Sequence, residues 1–112
     1  MDQIEQMTRV ARVREMLNYM ASEVVFNMKK IILTATGTEN KYAIKYDVRE
    51  NFVVEFVLFN TETNTKVQKQ YDIHDFTRIC SNVLTLEHIF NHLTYDMLEA
   101  AEKTNQVETI YL

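Results

Sequence analysis

The chain has 112 residues, 46% apolar and 25% charged, with a single Gly, no Pro and a formal net charge of −4. That is the size of one domain, with enough apolar residues for one core and too many for a disordered chain. One glycine excludes P-loops and dinucleotide fingerprints, which need several so that backbone N–H groups can approach a phosphate.

Apolar residues at Val10, Val13, Leu17, Met20, Val24 and Met28 recur in steps of three or four. This spacing predicts a long amphipathic helix from Ile4 to Met28. Its other face carries Glu5, Arg9, Arg12, Glu15 and Glu23, and Lys29 and Lys30 suit the negative end of the helix dipole. β-Branched residues then predict a strand from Ile31 to Thr36, and Gly37-Thr38-Glu39-Asn40 supplies a hairpin turn with Gly where positive φ is needed. From Tyr42 to Val48, Tyr42, Ile44, Tyr46 and Val48 alternate with Ala43, Lys45 and Asp47, a strand with one wet face.

Phe52 to Phe59 is apolar on both faces apart from Glu55, the pattern of a central strand. After the polar turn Asn60 to Asn64, the segment from Thr65 to Ile73 alternates again. Asp72 and Asp75 suit the cap and first turn of a helix burying Phe76, Ile79, Cys80 and Val83. Thr85 suits a second cap, for a helix with Leu86, Ile89, Phe90, Leu93, Met97 and Ala101 on one face. The tail from Val107 to Leu112 suits a short edge strand. The expected architecture is one α+β domain over residues 1–112. It has a long N-terminal helix, a four-stranded antiparallel β-meander and two C-terminal helices, or one kinked helix.

At 13.3 kDa, surface scaling predicts roughly 6,500 Å² exposed in the folded state. The lone Cys80 has no intramolecular disulfide partner, which points to a reducing, cytoplasmic setting. The start Met1-Asp2-Gln3-Ile4-Glu5 lacks the regions of a secretion signal, and no apolar run is long enough to span a membrane.

Candidate chemistry is sparse. His88, His92 and Asp96 are four residues apart, a spacing that can bring three ligands to one divalent ion. A helical wheel puts them opposite Leu86, Phe90, Leu93 and Met97, in solvent, where nothing orients the imidazoles. No metal site and no cofactor are therefore expected. Cys80 shares an apolar face with Phe76 and Val83, as a small hydrophobe rather than a nucleophile, because no partner His and acid can be assigned. An enzyme is not expected. Met7, Met16, Met20 and Met28 lie along the first helix, either filling gaps against the sheet or forming an adaptable dimer surface. Arg9, Arg12 and Arg14 can clamp phosphates or form a solvated strip for protein binding, with Glu5 and Glu15 neutralising part of their field.

Net charge is +1 over residues 1–30, −1 over 31–73 and −4 over 74–112, so the acid is C-terminal. That balance opposes direct nucleic-acid binding, which needs clustered cations. Helix, antiparallel strands and helix is also the order of double-stranded-RNA-binding domains. Here the matching segment Asp72-Ile73-His74-Asp75-Phe76-Thr77-Arg78 lacks their glycine and lysines.

In size, element order, scarcity of Gly and Pro, and the acidic 74–112 segment, the chain resembles small acidic phage-encoded inhibitors of CRISPR nucleases. In length and charge it also resembles small acidic secretion chaperones, which are generally dimeric. The first resemblance implies a non-catalytic inhibitor in the host cytoplasm that occupies the basic nucleic-acid-binding surface of a defence nuclease. Its carboxylates would stand in for phosphates, the candidates being Asp96, Glu99 and Glu102 on the last helix and Glu39 and Glu50 at strand-loop tips. The alternative is a homodimeric structural or chaperone-type module using the Met-rich first helix.

Overall fold

A computed structural model describes residues 3–38, 40–103 and 109–112. The first helix, α1, runs from Gln3 to Thr36, 34 residues, or about 51 Å at 1.5 Å per residue. It sets the long axis of a molecule measuring 54 × 30 × 21 Å.

The expected strand Ile31–Thr36 is instead the last part of α1. Its β-branched residues favour extended chain in isolation, but Ile32 continues the buried stripe of Leu17, Ala21, Val24, Val25 and Met28, and that packing outweighs local propensity. The Thr36 hydroxyl donates to the Ile32 carbonyl at 2.7 Å, and Gly37 N–H donates to the Leu33 carbonyl at 2.8 Å. Gly37, at φ +71°, therefore ends the helix rather than turning a hairpin. Lys29 and Lys30 lie within the helix and not at its end.

The sheet holds β1 (Tyr42–Val48), β2 (Val54–Asn60), β3 (Thr65–Tyr71) and β4 (Thr109–Tyr111), in that spatial order. The first three form an antiparallel meander, with Ile44 opposite Leu58 and Leu58 opposite Val67. β2 is central, as its two-sided apolar pattern predicts. It starts at Val54 rather than Phe52, which turns the corner at φ +62° beneath the Arg14 guanidinium, 5.7 Å from its ring centre.

The sheet is mixed, not wholly antiparallel. β4 pairs parallel to β3, Val67 opposite Ile110, and Leu112 N–H donates to the Gln68 carbonyl at 2.8 Å. Two helices separate β3 from β4, and a helical crossover returns the chain in the direction it left. The expected edge strand in the tail is thus present at Thr109–Tyr111; Val107 lies outside the described residues.

After β3 come two separate helices, α2 (Ile73–Cys80) and α3 (Val83–Lys103). Asp72 Oδ1 accepts from Asp75 N–H at 2.8 Å, the expected cap. The cap of α3 is Asn82, not Thr85: its Oδ1 accepts from Leu84 and Thr85 N–H at 3.0 and 3.3 Å. Thr85 lies inside the helix because Asn82 meets the free N–H groups first. Val83, expected in the core, is exposed because it falls at the corner between α2 and α3.

The buried residues of all three helices pack on one face of the sheet, against Tyr42, Ile44, Val54, Phe56, Leu58 and Val67. Phe56 is the hub, with ring centres 6.2, 6.0 and 5.5 Å from those of Tyr71, Phe76 and Phe90. On the opposite face Glu55 is buried, and its Oε2 accepts from Arg49 Nε at 3.0 Å and Gln70 Nε2 at 2.9 Å. The molecule exposes 7434 Å², more than the roughly 6,500 Å² its mass predicts. Its radius of gyration, 15.5 Å, exceeds the roughly 13 Å of a compact chain this long. The excess matches the first part of α1, where every residue from Gln3 to Arg12 is exposed.

Candidate functional site

α3 presents the acidic candidates on its solvent face, spread over two flanks. Glu102 accepts from the Lys41 ammonium at 2.7 Å at the start of β1, and Glu99 pairs with Lys103 at 2.9 Å. Donating this hydrogen bond to Glu102 raises the Lys41 pKa above its ordinary value. Asp96 lies on the other flank, bordering a hollow with Lys69 and Tyr71 of β3. Glu50 is exposed in the β1–β2 turn, the opposite end of β1 from Lys41, roughly 20 Å away at strand rise. Glu39 lies outside the described residues.

His88 and His92 meet edge to face with ring centres 4.4 Å apart, both exposed, and Asp96 follows one turn later. Among the described residues no group of three His, Cys, Asp or Glu side chains is placed to hold a metal ion. The three arginines do not act together. Arg14 donates Nη1 to the Val48 carbonyl at 3.2 Å, whereas Arg9 and Arg12 point into solvent.

The largest cavity described, about 630 Å³, is a groove between α1 and α3. Met20, Val24, Met28 and Ile31 form one wall, Leu86 and Phe90 the other, and Glu23, Lys30 and Glu87 the polar rim. Cys80 lies on it at the end of α2, half-buried, and burial pushes its thiol up to about 11. A thiol held neutral near pH 7 behaves as apolar surface, which suits the small-hydrophobe expectation.

The four methionines differ in burial. Met28 is fully buried and Met20 lies partly against the core, while Met7 and Met16 are exposed. Around the exposed pair α1 also bares Ile4 (74% exposed), Val10, Tyr19 (69%) and Phe26 (56%). Tyr19 and Phe26 were not singled out in the sequence, although the wheel that buries Leu17 and Val24 turns both outward.

No known protein family, curated protein or solved structure matches this chain. Among the described residues no helix is long and apolar enough to cross a membrane.

Proposed function

We propose that this chain is a non-catalytic protein-binding module that meets its partner through α1. One observation carries the reading. A helix that joins its own core only at Val13, and packs there on one side, keeps large apolar side chains in water: Ile4 and Met7 before the core, and Met16, Tyr19 and Phe26 on its outer face. Large apolar side chains exposed in this number on one helix mark an interaction site, and methionines adapt to a partner's contours. The elevated Cys80 pKa weighs against thiolate chemistry, and the single cysteine suits a reducing compartment.

The acidic face supports a phosphate-mimicking inhibitor of a nucleic-acid-handling nuclease less well. Glu99 and Glu102 already hold Lys103 and Lys41, which cancels part of the field a basic channel would feel. The test is photo-crosslinking in intact cells, with the reactive group at Met16 or Tyr19 in one set and at Asp96 or Glu50 in another. Discrete adducts from the α1 positions alone are expected. Adducts to a nuclease from the Asp96 or Glu50 positions, with none from α1, would move the function to the acidic face.

A further inference from the structure

Along the exposed side of α1, from Glu5 to Lys30, eight side chains at alternating steps of four and three residues, five of them charged, share one face along which a second helix can lie. Glu5, Arg9 and Arg12 occupy its first half and Glu23, Phe26 and Lys30 its second, with Met16 and Tyr19 between them, and all are exposed. The charges of the two halves are complementary when one is read backwards. Turning a second copy antiparallel about the midpoint between Met16 and Tyr19 sets Arg12 opposite Glu23, Glu5 opposite Lys30, Arg9 opposite the Phe26 ring and Met16 opposite Tyr19. Every layer then joins opposite charges, a cation to an aromatic ring or a thioether to one. A parallel in-register pair would instead stack Arg12 on Arg12 and Glu23 on Glu23.

We infer that the partner first met by α1 is a second copy of this chain, bound antiparallel along this seam as a two-fold dimer. This deepens, and rests on, the reading of α1 as the docking surface. A further observation supports it. Residues 3–12 form nearly three helical turns with no packed face, and this pairing lays their Glu5, Arg9 and Arg12 face along the partner's residues 23–32, beside the α1–α3 groove rimmed by Glu23 and Lys30. The extent of the seam also sets the strength of the pair. From Glu5 to Lys30 it spans about 38 Å, and at a helix width of about 11 Å its flat projection is roughly 400 Å² per copy. That lies below the roughly 600 Å² per partner at which stable interfaces begin, in the range of weak, transient pairs. An interface of this size with several polar layers fits a reversible dimer with a Kd on the order of micromolar.

Sedimentation equilibrium of the purified chain tests it through charge exchange. Arg12 and Glu23 are about 16 Å apart along one helix and cannot touch within a copy, so any compensation between them is intermolecular. Arg12→Glu and Glu23→Arg each place like charges opposite each other twice, and each is expected to weaken the dimer about tenfold or more. An equimolar mixture of the two variants, and the double variant Arg12→Glu/Glu23→Arg, are both expected to recover association, because each restores opposite charges in every layer. Unchanged thermal melts of these exposed-site variants would exclude misfolding as the cause.

A parent chain that stays monomeric up to millimolar concentration overturns the inference. So does a dimer indifferent to both substitutions, or one weakened by them without recovery in the mixture. If the parent is monomeric while Met16 and Tyr19 still cross-link to another protein in cells, the seam fails and the docking role of α1 stands. If α1 cross-links to nothing, both fail.

Discussion

α1 contains two regions built from the same periodic pattern with opposite fates. From Leu17 to Ile32 its stripe is buried against the sheet, with Leu17, Ala21 and Met28 wholly out of water. From Gln3 to Arg12 the same stripe, continued by Ile4, Met7 and Val10, stays exposed. The apolar spacing makes both helical, but burial depends on what stands opposite. β1 is seven residues long and ends at Val48, so nothing remains for the first turns of a 34-residue helix to cover. Length mismatch between a helix and the sheet beneath it creates this free surface.

The comparison breaks most visibly at the core that holds the packed half. Phe56→Ala removes the hub of the four-ring cluster and is expected to cost about 3 to 5 kcal/mol in denaturant unfolding, a large part of a small domain's stability. A loss below 1 kcal/mol would show that the cluster does not anchor the fold.

Paired truncations sharpen it within α1 itself. Leu17→Ala should cost about 2 to 5 kcal/mol, whereas Met7→Ala should stay within about 0.5 kcal/mol at concentrations where the chain is monomeric. Equal losses at the two positions would mean that the arm is packed in solution. At the other end of the helix, Gly37→Ala forces a Cβ into left-handed backbone, and no atom lies within 4 Å of that Cβ to add a clash. The expected cost is therefore backbone strain alone, about 1 to 2 kcal/mol. A neutral result in the same unfolding assay would show that the cap relaxes.

The smallest effect is chemical. Burial favours the neutral Cys80 thiol, so its alkylation should be slow near pH 7 and should rise toward a midpoint near pH 11, well above that of a free thiol. Folding holds that proton more tightly than the unfolded chain does, so this site's contribution to stability falls as pH rises from the unfolded thiol's range through about 11. An alkylation midpoint near 8.5 would place Cys80 in solvent and leave the α1–α3 groove without its floor.

Much of the fold was legible because its signals are local. The alternation of Tyr42–Val48, the two-sided apolar run that becomes β2, and the Asp72 cap each sit within a few residues of the structure they specify. Ile31–Thr36 misled for the same reason: β-branched residues argue for a strand until Met28 and Val25, one and two turns back, are seen to share Ile32's buried face. The candidate site was half legible. The methionines marked α1, but the aromatic and charged side chains around Met16 count as a surface only once the core has claimed the other side of the helix.

By itself the sequence determined the order of elements from Tyr42 to Lys103, most of the core and the acidic balance of the C-terminal segment, because periodicity, capping and charge are properties of neighbours in the chain. Tertiary structure alone decided that α1 continues to Thr36, that β4 joins β3 in parallel, that Lys41 takes up the charge of Glu102, and that residues 3–12 find nothing to pack on. Each of these depends on what lies far away in sequence, and free energy gained between such distant segments overrides local propensities worth about 1 kcal/mol or less per residue.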